Sequence, residues 1–154
     1  MKALSLTRPW GWIILNLGKR IENRTWETEY RGPVLLHSSK TMTRNDWYSA
    51  HDFVETFDPE GASRIPQPKD PRLVASAIVG YAEIIGVIQP GWRLRRKVSE
   101  RQRAELEAQK HWYMGSYGFV LRNVRATPIV PCSGLLGLWT PAPAVVAAAL
   151  GVPA

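Results

Sequence analysis

The 154-residue sequence holds one cysteine, Cys132, so no internal disulfide can form, which fits a reducing compartment. Long apolar runs are also missing. The best candidate, Trp10 to Leu17, falls well short of the roughly twenty residues a bilayer span needs and includes Asn16. The opening MKALSLTRPW has no extended apolar core and no small-residue cleavage site, so a cytoplasmic location is expected rather than secretion. His37, His51, His111 and Cys132 stand at no metal-ligand spacing, and no metal site is expected. There is no phosphate-binding or dinucleotide-binding glycine loop, and GSYG at 115–118 is not a nucleophile elbow, so no cofactor is implied. Acidic residues are in deficit, thirteen against twenty lysines and arginines, giving a net charge of +7. Much of the excess gathers at Arg93, Arg95, Arg96 and Lys97. That patch favours a polyanionic partner, with RNA first, and no membrane.

What is present reads as one folded domain over residues 1–154, with 45% hydrophobic and 21% charged residues. Lys2 to Leu6 is a strand. Thr7 then offers a cap and Pro9 a first-turn residue to a helix whose stripe is Trp10, Ile13, Ile14 and Leu17. Gly18 suits the left-handed position just past a helix end. Strands are expected at Arg20 to Trp26 and Val34 to His37, and a helix at Arg44 to Phe57. The segment 57–72, FDPEGASRIPQPKDPR, carries four prolines and reads as an irregular loop. Leu73 to Ile88 reads as one long strand bent at Gly80 and Gly86, and Ser99 to Gln109 as an exposed, salt-paired helix. Tyr117 to Val124 is a strand, Pro128 to Pro131 a separate extended piece, and Pro141 to Leu150 a helix capped by Thr140 and stopped by Gly151. Curved strands with an early helix and later ones make the fold class α+β around a small β-barrel.

The stretch GKRIENR, residues 18–24, concentrates the chemistry. Along a strand Arg20, Glu22 and Arg24 share one face and Ile21 and Asn23 the other, so two cations at i±2 would hold Glu22 ionised. Lys19 follows the helix end, where a cation is favoured by the helix dipole. Arg8, at the strand-to-helix corner, and Ser38, at the end of the second strand, are candidate ligand contacts at the same mouth. His37 beside Ser38 reads as structural. Of the seven tryptophans, Trp10 and Trp139 read as core and Trp26, next to the charged motif, as a stacking surface for a base. Trp92 and the run HWYMGSYGF lie beside the arginine cluster, a mixture that suits single-stranded RNA.

SLTRPW at 5–10, GKRIENR at 18–24 and YRGPVLLHSS at 30–39 occur in that order, followed by AIVGYAEIIGV at 77–87, GSYGFVLRNV at 115–124 and GLLGLW at 134–139. Together they resemble the ASCH domain family. The family's G-x-K-x-x-E-x-R pattern is met by Gly18, Lys19, Glu22 and Arg24, with the lysine directly after the glycine. The resemblance implies a PUA-like barrel with a cleft against the first helix, and RNA or a modified nucleoside as partner. It also implies a pocket in which Lys19 polarises a carbonyl or holds a phosphate, Glu22 orients a water or accepts from an amine, and Arg24 fixes both. A hydrolase is the alternative it offers, either an N4-acylcytidine amidohydrolase or a metal-independent ribonuclease. The compact amidohydrolase branch carries threonine three residues after the lysine, where this chain has Glu22.

Overall fold

A computed structural model describes residues 1–152. In chain order the elements are β1 (Lys2–Leu6), α1 (Trp10–Asn16), β2 (Ile21–Arg24), β3 (Gly32–Ser38), α2 (Arg44–Glu55), α3 (Pro59–Arg64), β4 (Ala77–Ile88), α4 (Glu100–Ala108), a 3-10 turn (Lys110–Trp112), β5 (Tyr117–Pro131), β6 (Leu138–Trp139) and α5 (Pro143–Leu150). The six strands form one sheet in the order β2-β5-β4-β3-β1-β6, with β1 and β3 parallel and every other pair antiparallel. The sheet curls into a half-barrel, so the fold is α+β, consistent with a small PUA-like barrel. No described helix is long and apolar enough to cross a membrane.

The curl is made where β4 slips register against its neighbours. Its pairing with β5 shifts between Ile78 and Gly80, Tyr81 and Glu83, and Ile84 and Gly86, which brackets both glycines read from the sequence as bends. Leu4, Leu6, Val34, Leu36, Ile84 and Phe119 fill the concave side with Ile14 of α1. Ala3, Leu35, Ile78 and Tyr81 on the other face pack against Ala149 of α5. Both faces of β1 and β3 are therefore covered, which is why VLLHS is buried without alternation. A third cluster, including Ile13, Ile21, Trp47, Val54 and Trp112, fastens α2 and α3 against α1 and β2.

Four expectations are corrected by local chemistry. Thr7 does not cap α1: Pro9 takes the cap position without a side-chain hydrogen bond, and it is the Thr7 carbonyl that accepts from the Trp10 N–H. The 57–72 segment is not wholly irregular, because Asp58 accepts from the Gly61 N–H and Pro59 opens the first turn, and together they start α3. The extended piece at Pro128–Pro131 is the end of β5, which stays paired with β4 as far as Pro131. Thr140 does not cap the last helix, since α5 begins at Pro143 and the Thr140 hydroxyl accepts from Lys2 Nζ.

Gly80 is the tightest of the bends. A Cβ there would lie 2.9 Å from Leu15 Cδ2, 3.1 Å from the Arg125 carbonyl oxygen and 3.3 Å from Leu36 Cδ1. The leucine can move but the paired backbone cannot. Gly80→Ala is expected to cost about 1–3 kcal/mol of stability, the usual range for overpacking, measured by urea unfolding.

Candidate functional site

The site begins at the end of α1. Leu17 closes the helix by donating its N–H to the Ile13 carbonyl, and Gly18 turns the chain with φ +74°. Lys19 then points inward and is 1% exposed. Its Nζ lies 2.8 Å from Glu22 Oε1, and Arg24 Nη2 lies 3.2 Å from Glu22 Oε2. Arg24 Nη2 also donates to the Ser5 carbonyl at 2.5 Å, which ties β2 to β1 on the far side of the sheet order. Each cation has an indole beside it: Lys19 Nζ is 5.0 Å from the centre of the Trp10 ring, and the Arg24 guanidinium 5.8 Å from that of Trp26.

The two cations on Glu22 are not the two expected. Arg20 lies outside β2, and its Nη1 donates to the carbonyls of Ile14 and Lys19. It satisfies a carbonyl in the last turn of α1, the part the helix dipole had suggested for Lys19. The corner at Gly18 gives Lys19 the place at Glu22 instead.

Burial pushes the Glu22 carboxyl up, but Lys19 and Arg24 outweigh it and hold the group below its ordinary value. For Lys19 burial dominates over the attraction of Glu22, and Arg24 adds repulsion, so its ammonium sits below the usual lysine range. The cluster thus holds two cations for one anion. Its hydrogen bonds are incomplete as well. Among the described residues Arg24 Nε is buried with no acceptor, and Glu22 is the one hydrogen-bond acceptor that Lys19 Nζ reaches. A buried donor left without a partner costs about 1–3 kcal/mol.

The remaining sequence candidates divide. Arg8 donates to the Leu73 and Lys40 carbonyls, fastening two loops, while its own Nε is buried without a partner among the described residues. The Ser38 hydroxyl donates to the Val74 carbonyl. His37 donates from Nε2 to the Cys132 carbonyl at 2.9 Å and is 3% exposed. Trp26 is half-buried, packed edge-on to Phe119 and touching Gly137. Ser5, absent from the expected site, joins its parts: its carbonyl takes Arg24, its N–H donates to the Gly137 carbonyl, and its hydroxyl to that of Leu135. The runs SLTRPW and GLLGLW contained that signal without showing that they meet.

The basic patch lies apart from this cluster. Arg95, Arg96 and Lys97 border two hollows, one of about 350 Å³ against Trp92 and α4, the other of about 1010 Å³ against β5 and the chain around Thr28. Neither is bordered by Lys19, Glu22 or Arg24. Arg93 borders neither hollow, and its Nε donates to the Pro90 carbonyl. On α2, His51, Asp52 and Glu55 bring ligand-type atoms within 4.8 Å of one another, a grouping the histidine spacings did not reveal, with both acids exposed.

The ASCH domain family model matches residues 4–125, most of the chain and all of the ionic cluster. The chain belongs to the ASCH domain family. No curated protein matches it. The ASCH match ends within β5, so the Leu135–Gly137 loop that is fastened to Ser5 lies beyond the matched part.

Removing the anion tests the cluster. Glu22→Gln leaves two buried cations uncompensated and is expected to cost about 3–5 kcal/mol in urea unfolding at neutral pH. The folded carboxyl titrates below its reference of 4.5, so its contribution is complete above that value and is lost as pH falls from 4.5 through the lower folded value. That part of the acid limb should be missing from the Gln variant's stability curve.

Proposed function

We propose that this ASCH domain binds RNA or a modified nucleoside, with Lys19, Glu22 and Arg24 meeting a base and the Arg93–Lys97 patch meeting phosphates. The observation that carries the reading is the cluster's imbalance: two buried cations, one carboxylate, and an Arg24 Nε with nothing to donate to among the described residues. An oxygen acceptor, such as a base carbonyl, an acyl oxygen or a phosphate, supplies what the protein itself does not. Glu22, held ionised, accepts from an exocyclic amine. Trp10 and Trp26 flank the cations and offer ring faces or edges to a planar ligand. Arg95, Arg96 and Lys97 are exposed and give the salt-dependent part of the affinity.

A second reading, hydrolysis, draws on the geometry of Glu22, whose carboxylate is held between Lys19 and Arg24. Glu22 can take a proton from water attacking an N4-acyl carbonyl, with Lys19 and Arg24 holding the oxyanion and the proton passing to the leaving amine. In RNA cleavage Lys19 and Arg24 would instead hold the charge of the pentavalent phosphorus.

Titration of cytidine, N4-acetylcytidine and single-stranded RNA into the protein, with products followed by mass spectrometry, tests both. Arg24→Lys keeps the charge but removes the Nε and the forked geometry, and is expected to weaken binding about tenfold, roughly 1.4 kcal/mol. A product that disappears in Lys19→Ala makes the protein a hydrolase. Binding without product leaves the binding reading. Failure of wild type to bind any of the three at low salt overturns both.

A further inference from the structure

Glu27 lies just past β2 at the rim of the larger hollow, and its carboxylate is doubly engaged. Oε1 accepts from Gln89 Nε2 at 2.7 Å and Oε2 from Arg95 Nη2 at 3.0 Å. The bond to Arg95 joins the segment around residue 95 to the segment after β2, and both residues border the hollow. Four cations, Arg31, Arg122, Arg96 and Lys97, border the same groove, as do Arg20 and the carboxylates of Glu29 and Glu105. Among the described residues none of these four is paired with a carboxylate. With Arg20 and Arg95 the hollow has six cations against the three carboxylates of Glu27, Glu29 and Glu105, and a polyanion laid in it relieves the excess of positive charge.

The hollow's neighbour supplies an aromatic surface. Leu94, Arg95, Arg96, Lys97 and Leu106 border both cavities, and the smaller one ends on Trp92. Trp92 has φ +62°, a left-handed backbone that a bulky residue adopts only at a cost and that the preceding Gly91, at φ +78°, shares. The turn is held by paired backbone bonds between Gln89 and Arg93, so the indole is fixed beside the cations by a strained backbone. Trp92 is half-buried, with its ring packed edge-on to Tyr113 and its Nε1 donating to Glu107, and the part that borders the smaller hollow suits an unstacked base of single-stranded RNA better than a duplex.

We propose that this groove is a phosphodiester track for single-stranded RNA, lined by Arg31 and Arg122 together with Arg95, Arg96 and Lys97, in which the Glu27 carboxylate occupies Arg95 until a phosphate displaces it. The inference rests on the RNA reading above and adds a second wall and a built-in competitor to it. Glu27 sets the threshold: weak anions leave the clasp closed, and a strand that engages several cations at once opens it.

The test is fluorescence anisotropy of a short labelled oligouridylate with the full chain, at several salt concentrations. Glu27→Gln keeps an acceptor for Gln89 while releasing Arg95, and is expected to tighten binding about threefold or more. Arg122→Ser, at an exposed position, is expected to weaken binding about threefold or more and to reduce the salt slope by about 0.7, one single-strand phosphate contact. Arg64→Ala, on α3 away from the groove, should leave binding unchanged. If wild type binds the RNA but Glu27→Gln binds no tighter, or Arg122→Ser binds equally well, the track is overturned while the RNA reading stands. If duplex RNA binds as tightly and responds equally to Glu27→Gln, the single-strand assignment falls. If neither wild type nor Glu27→Gln binds RNA at low salt, the RNA reading itself fails.

Discussion

A carboxylate removed from water must be given cations, and a cation removed from water must be given acceptors. Glu22 receives Lys19 and Arg24, and much of the surrounding structure follows from that requirement. Gly18 turns the chain so that Lys19 enters the interior within one residue of the helix end. Arg20 takes over the last-turn carbonyl of α1, and Ser5 offers its own carbonyl to Arg24. Trp10 stands beside the Lys19 ammonium and Trp26 beside the Arg24 guanidinium. The requirement is met except for the donors that remain at Lys19 and Arg24.

The corner also separates two regions. Lys19, Glu22 and Arg24 cluster beside Ser5 and the two indoles, whereas Arg20 and Ile21 border the large groove together with the 94–98 segment. A short strand at the sheet edge can serve both because side chains alternate along it and each side is built by different neighbours. Charge at the buried cluster is almost entirely engaged, so its chemistry is local and geometric. Charge in the groove is a net excess of mostly exposed cations, so its chemistry is long-range and dependent on salt.

The legibility of these features follows their range. The helical stripe of α1, the glycine after it, the bends in β4 and the exposed helix α4 were all readable, because each is a relation among residues a few positions apart. The helix α3 was hidden by prolines that, counted together, suggested a loop, although Asp58 followed by Pro59 is itself a helix start. The cap assigned to Thr140 failed because the helix began later and a lysine from the first strand claimed the hydroxyl. In the cluster, strand alternation correctly gave Arg24 to Glu22 but also gave it Arg20, which the turn had already withdrawn from the strand.

The sequence by itself therefore determined the kinds of elements, the family, and the residue types that meet at the corner. Tertiary structure decided which of three neighbouring cations reached Glu22, that the cluster is buried, that Ser5 joins it to the Leu135–Gly137 loop, and that Glu27 pairs with Arg95. The reason is physical. Propensity and periodicity specify faces and turns over a few residues, while burial and ion pairing depend on which faces the curled sheet brings together from distant parts of the chain.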